Sequence, residues 1–256
     1  KIKEMNQQSK SFYQALRGVT ESNVSKTLEV AETKTNIINK VLNGSNKDNM
    51  KVLSIGCNLV VMGLAKQGHD VTVVNATDHC VESINNVFKL PMKLDTDPDG
   101  AVNLMVQENK FDLVLALDQS LTFFNTEEEQ KQFISILSKL TKGKLVTSLV
   151  DYKNQTSQSR MSDLPLTVSI NNKQNMFINH RTWDPADRQR FINHWLWIEE
   201  DKLQGTSKTV RRTMYFKQLA KFTSDHGGKN FSIHKNLFYK PLLSKAFEHV
   251  ISIDYE

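Results

Sequence analysis

Residues Lys51 to Thr77 read KVLSIGCNLVVMGLAKQGHDVTVVNAT, and their pattern decides the fold. A short apolar run, Val52, Leu53 and Ile55, stops at Gly56-Cys57. An apolar segment of helical length follows and ends at Gly68, and a second β-branched run begins at Val71. Strand, helix and strand in that order make a βαβ unit. Open parallel sheets built from such units place ligands beyond the carboxyl ends of their strands. The first loop, at Gly56 to Asn58, and the end of the second strand, at Asn75, are therefore the candidate site.

Outward from this unit, the 256 residues are enough to bury a full α/β core. No run of 18 apolar residues occurs, so no membrane-spanning helix is expected. The net charge of +5 comes from lysines scattered among acids, which argues against a nucleic-acid partner. Two cysteines, Cys57 and Cys80, give no disulfide framework and no spacing suited to a metal, so the expected compartment is reducing and cytoplasmic. The numbered chain starts at Lys1 rather than Met, which leaves open an organelle reached after loss of a targeting segment.

Four regions are expected: 1–44 helical, 45–150 the core, 151–216 an antiparallel insertion, and 217–256 the closing part of the core. Met5, Phe12 and Leu16 mark a first N-terminal helix; Val24, Leu28, Ala31, Ile38 and Val41 mark a second, ending at Asn43-Gly44. Asp78 to Phe88 reads as the second crossover helix, and an Asp-rich turn follows at residues 95–100. A fourth strand starts at Phe111-Asp112-Leu113-Val114. Thr126 and Glu129 have capping-box spacing at the head of a helix carrying Phe133, Ile136, Leu137 and Leu140. Lys144 to Val150 reads as the fifth strand.

Beyond Asp151, Asn, Gln and Ser crowd residues 154–175, the mark of a long surface connection. Three alternating segments follow, Met176 to Trp183, Arg190 to Ile198 and Thr209 to Phe216, with residues 200–206 as the turn between the last two. Alternation places Trp195 and Trp197 on one face and His194, Leu196 and Ile198 on the other. A helix over Lys217 to His226 and a strand pair, Phe231 to Phe238 and Phe247 to Ile253, close the chain.

The βαβ frame, the F-D-x-V strand and the loop Leu117-Asp118-Gln119-Ser120 resemble the class I S-adenosylmethionine-dependent methyltransferases of the small-molecule, glycine N-methyltransferase-like type. The resemblance covers roughly residues 45–256. It implies an α/β, Rossmann-like, mostly parallel seven-stranded sheet with helices on both faces and an antiparallel β insertion. It also implies S-adenosylmethionine as cofactor, held by Gly56, Cys57, Asn58, Asn75, Asp95, Leu117 and Asp118, with Asp95 reaching the adenine or serving only its own turn. The insertion is implied to cover the acceptor, which points to Arg181, Trp183, Trp195, Arg211 and Tyr215. The N-terminal helices read either as a gate over this pocket or as packing on one sheet face.

Methyl transfer from a sulfonium is an in-line displacement needing position above all. Where the acceptor must lose a proton, His180, His194 or Tyr152 is the candidate base. The family's first-strand acid falls on Ser54, its second-strand acid on Asn75, its last loop glycine on Asn58 and a later loop glycine on Asp118. An amide in place of a charged ribose acceptor predicts weak cofactor binding, by on the order of 1 kcal/mol. Two functions are therefore weighed: a methyltransferase acting on a small molecule, and a catalytically inactive, methyltransferase-like subunit acting through protein contacts. In the second, Leu59, Val60 and Val61 are expected to fill the crevice, and the 176–216 sheet to meet a partner chain or a second copy.

Overall fold

A computed structural model describes residues 24–42, 48–107, 110–118, 120–150, 160–162, 165–170, 172–234 and 248–255. The first N-terminal helix expected from Met5, Phe12 and Leu16 lies outside these residues. The second is α1 (Val24–Val41), which buries Ala31, Thr35, Ile38 and Val41 along one stripe.

The core alternates β1 (Lys51–Ile55), α2 (Leu59–Lys66), β2 (Asp70–Val74), α3 (Asp78–Glu82, continuing through a wider turn at Ser83–Phe88), β3 (Met92–Leu94), α4 (Gly100–Val106), β4 (Phe111–Ala116), α5 (Glu127–Leu140) and β5 (Thr141–Val150). Helix α4 was not expected; the Asp-rich turn leads straight into it. After the insertion come α6 (Phe216–Ser224), β11 (Lys229–His234) and β12 (Glu248–Asp254). Together they form a seven-stranded sheet of order β11-β12-β5-β4-β1-β2-β3. Strands β1 to β5 pair in parallel, and β12 runs antiparallel beside β5. The chain runs outward from β1 through β2 and β3, then restarts at β4 on the other side, so the strand order reverses between β1 and β4. A ligand crevice is expected at that reversal.

Each face of the sheet carries its own apolar cluster. Ile38, Val41, Val52, Val60, Leu64, Val71 and Leu113 join on the α1–α2 face, and Leu53, Ile134, Leu137, Leu145, Leu219 and Ile251 join on the α5–α6 face. Helix α1 lies so close to α2 that a Cβ placed on Gly63 would sit 2.1 Å from Thr35 Oγ1 and 2.8 Å from the Ala31 carbonyl oxygen. The Thr35 hydroxyl meets the Ala31 and Val60 carbonyls at 2.8 and 3.1 Å. These contacts favour the packing reading of this helix. Helix α5 opens with the expected capping box: Thr126 Oγ1 accepts from the Glu129 amide at 3.2 Å, and Glu129 accepts from the Thr126 amide at 3.0 Å.

The insertion is a five-stranded antiparallel sheet of β6 (Arg160–Ser162), β7 (Leu166–Ile170), β8 (Lys173–Trp183), β9 (Arg190–Glu199) and β10 (Lys202–Arg212). Two readings are corrected here. The polar stretch 154–175, read as a connection, contains β6 and β7, because pairing against β8 overrides its composition. The β9–β10 turn is only Glu200-Asp201, both at positive φ of 47 and 64°, the geometry of a tight two-residue hairpin. Strand β10 therefore begins at Lys202 rather than Thr209.

The cysteine reading is also corrected. Cys57 and Cys80 are joined as a disulfide with Cα atoms 6.4 Å apart. Spacing in sequence hid this, because the βαβ crossover returns the chain to the same rim.

Candidate functional site

At the end of β1 the chain turns through Gly56, whose φ of 77° favours glycine; a Cβ built there meets nothing within 4 Å. Its amide donates to the Val74 carbonyl at 2.8 Å, tying the loop to the end of β2. Asn58 caps α2, its side-chain oxygen accepting from the Val60 and Val61 amides at 3.0 and 3.2 Å. Its amide nitrogen donates to the buried Ser54 hydroxyl at 3.2 Å, and that hydroxyl donates to the Gly56 carbonyl at 2.8 Å. A polar side chain at the first-strand position thus fastens the loop from within. Val60 and Val61 are buried in the sheet core rather than in the crevice, so the expectation that they fill it is not met. Leu59 is half-buried.

At the end of β2, Asn75 is exposed with φ at 54°, a left-handed conformation that asparagine tolerates better than most residues. The Ala76 amide donates to the Asp95 carbonyl at 2.9 Å, which sets the β2 and β3 lips side by side. Asp95 Oδ1 accepts from the Asp97 amide at 2.8 Å, a bond within its own turn.

Beyond β4, Leu117 is buried and Asp118 stands at φ 53°. The backbone keeps the conformation that a glycine would hold most easily. The Asp118 side chain is exposed, yet its surroundings displace enough water for burial to raise the carboxyl pKa, against an opposing pull from Lys34. The Lys34 charge, on α1, acts on this carboxyl; from sequence only its place on a helix read as packing was legible.

The insertion sheet turns one face over these strand ends. Register places Trp183, Phe191 and Arg211 in one cross-strand row, then Arg181, Asn193 and Thr209, then Asn179, Trp195 and Ser207. Trp183 and Phe191 pack with Val150, at the carboxyl end of β5. Arg211 donates to Thr122 Oγ1 at 3.3 Å and stacks 3.8 Å above the Phe123 ring, just past β4. Gln130, on α5 and only 2% exposed, locks the arrangement by donating to the carbonyls of Leu121 at 2.8 Å and Arg212 at 3.1 Å. Sequence reasoning passed over Thr122, Phe123 and Gln130, whose roles are set by tertiary contact.

Arg181, Trp183, Trp195 and Arg211 thus share one face of the sheet. Tyr215 lies just past β10, where its amide donates to Gln218 Oε1 at 3.0 Å at the head of α6. His180 and His194 sit opposite one another across β8 and β9, ring centroids 6.2 Å apart, on the other face of the sheet. His180 Nδ1 is 2.8 Å from Ser162 Oγ, and burial followed by the charges of Lys208 and His180 lowers the His194 pKa. Alternation puts these histidines on the opposite face from Arg181 and Trp183. Tyr152 lies outside the described residues.

No family model and no curated protein matches this chain. Solved structures do. The CcbJ methyltransferase from Streptomyces caelestis aligns with a TM-score of 0.66 at 15% identity, covering 88% of this chain and 90% of that one. A S-adenosylmethionine-dependent methyltransferase from Clostridium acetobutylicum ATCC 824 aligns at 0.64 and 11% identity, covering 87% and 91%. CalS10 from Micromonospora echinaspora, an amino pentose methyltransferase with SAM bound, aligns at 0.58 and 14% identity, covering 97% and 99%. The chain has the class I methyltransferase fold. The likeness extends over about nine-tenths or more of the length of each of these proteins.

Proposed function

We propose that this chain transfers a methyl group from S-adenosylmethionine to a small polar acceptor held between the strand ends and the insertion sheet. The observation that carries the reading is the face of the insertion sheet that Arg211, Trp183 and Phe191 bring against the segment after β4 and the end of β5. The methyltransferases with which the chain shares its fold support it as analogy.

The residues present fit such a cofactor in part. Space is open over Gly56, and the exposed Asn75 carboxamide offers a donor and an acceptor to vicinal hydroxyls. The cofactor supplies an electrophilic methyl group on a sulfonium. Everything else falls to the chain's own groups. Arg211 and Trp183 fix the approach of the acceptor, and Asn193 Oδ1 and Thr209 Oγ1, buried and lacking hydrogen-bond partners, favour an acceptor with polar groups of its own. With the two histidines facing away, Asp118 is the titratable side chain suited to take the proton that an amine or hydroxyl acceptor must lose.

A second reading, an inactive subunit acting through protein contacts, is favoured by the Asn58 cap, which occupies two helix-terminal amides. Calorimetry with S-adenosylhomocysteine, in a dithiol reductant, tests the choice. The first reading expects measurable binding that strengthens about fivefold in Asn75→Asp, the value of a charge-assisted over a neutral hydrogen bond. Binding by neither chain would leave the inactive subunit.

A further inference from the structure

We propose that the chain carries a second ligand site, for a small phosphate-bearing anion, in the cavity at the amino-terminal end of β4 and β5. This cavity lies at the opposite end of the sheet from the strand-end crevice, and the site stands whether or not the chain transfers methyl groups.

The cavity encloses about 460 Å³ and is lined by Lys110, Lys139, Lys142, His226, Ser138 and Tyr255. That volume falls within the range of about 300–1,000 Å³ of small-molecule sites. The fold gathers these residues from four elements. Lys110 immediately precedes β4, and Lys142 stands in the first turn of chain of its parallel neighbour β5. Lys139 belongs to the last turn of α5. Tyr255 follows β12, and its amide donates to the Gly143 carbonyl at 2.7 Å. Gly227, beside His226, has φ at 88°, and a Cβ built on it meets nothing within 4 Å, so the wall is open there.

No acidic side chain lines the cavity. A lysine in the last turn of a helix offsets the helix dipole, which accounts for Lys139 alone. Lys110 and Lys142 stand at strand starts, where no such dipole calls for them. Lys142 has the Asp112 carboxylate at 3.7 Å, and Asp112 also accepts from the Lys51 amide at 3.0 Å. Among the described residues, no carboxylate pairs with Lys110 or Lys139. A cleft lined by one sign of charge concentrates counter-ions. A phosphomonoester carries about −1.5 to −2 at pH 7, which three ammonium groups match better than they match the single charge of a carboxylate.

The two hydroxyls supply an independent observation. Ser138 Oγ and Tyr255 Oη lie 2.7 Å apart, and each residue is only 5% exposed. A hydroxyl carries one proton and can also accept, so the pair forms its bond with one proton and keeps the other. Neither hydroxyl has a further partner among the described residues. A buried O–H left over favours a ligand that accepts, and phosphate oxygens are strong acceptors.

Calorimetric titration of the full chain with pyrophosphate, at fixed ionic strength because salt screens exposed charges, tests the site. Expected is saturable binding at one site, weakened about tenfold or more in Lys110→Gln/Lys139→Gln. It should be unchanged in Lys93→Gln, a lysine of the edge strand β3. Both lysines of the double variant are exposed, so its fold should hold, and an unchanged melting temperature checks that. Absence of saturable heat would overturn the site, and so would equal affinity in the double variant. A loss in Lys93→Gln as large as in the double variant would reduce the binding to net charge and overturn it as well. Vesicles of phosphatidylserine and phosphatidylcholine separate the sources of phosphate. Capture by these vesicles, lost in the double variant and without binding of pyrophosphate, would assign the lysines to a membrane surface and overturn the free small ligand.

Discussion

Replacing Asn58 by alanine separates two roles that one side chain can play at this loop. In the structure it is a cap: its oxygen holds the Val60 and Val61 amides, and its nitrogen meets the Ser54 hydroxyl. Loss of an asparagine cap costs about 1 kcal/mol. The partly buried bond to Ser54 adds roughly another 1 kcal/mol, while Ser54 keeps its bond to the Gly56 carbonyl, so no buried hydroxyl is orphaned. Asn58→Ala should therefore lose about 2 kcal/mol, which in a domain of this size lowers Tm by roughly 4–8 °C. Scanning calorimetry reads the stability and titration with S-adenosylhomocysteine reads the site. Because the variant frees two amides at a helix start, affinity should hold or rise. A Tm within about 1 °C of the natural chain's would refute the cap, and a tenfold loss of affinity would make Asn58 a ligand contact instead.

Two further predictions concern α1 and Asp118. Gly63→Ala drives a methyl group against Thr35 and the Ala31 carbonyl, so the roughly 1 kcal/mol gained in helix propensity is outweighed by an overpacking cost of about 1–3 kcal/mol, and chemical denaturation should show a net loss; a gain in stability would refute the close contact. Burial raises the Asp118 pKa, with Lys34 opposing, so its ionised form weakens the fold above the folded-state pKa and ceases to do so as pH falls through it. Asp118→Asn should therefore melt higher than the natural chain at pH 8, with the difference shrinking towards pH 4; a difference independent of pH would show that the carboxyl is not desolvated.

The frame of the fold was legible because its signals are local and mutually consistent. Val52 to Ile55, Gly56, Gly68 and Val71 to Val74 mark strand, turn and strand in a single pass, and Thr126 with Glu129 marks a helix start whatever surrounds it. Strands β6 and β7 were not legible, since a polar segment becomes a strand only when β8 offers its edge. Within the site, strand parity separated Trp195 from His194, but which residues of β8 and β10 share the face of Trp195 depends on register, which the sequence does not encode. The Cys57–Cys80 pair and the approach of Lys34 to Asp118 depend on crossovers closing in space, and no spacing along the chain encodes that distance.

The place of β12 bears on how the protein is made. This strand lies between β5 and β11, pairing with β5 from Glu248↔Val150 to Asp254↔Lys144. A growing chain that has finished β5 therefore carries an open sheet edge, TKGKLVTSLV, largely buried in the final fold, until the sequence of β12 has left the ribosome. At ordinary rates of synthesis that interval is about 5–20 s. During it the insertion hairpins can pair among themselves, as their strands are neighbours in sequence, but the main sheet cannot close. A ribosome stalled in that interval would present β5 as an unpaired strand, the kind of edge that holding chaperones bind and that other nascent chains can extend.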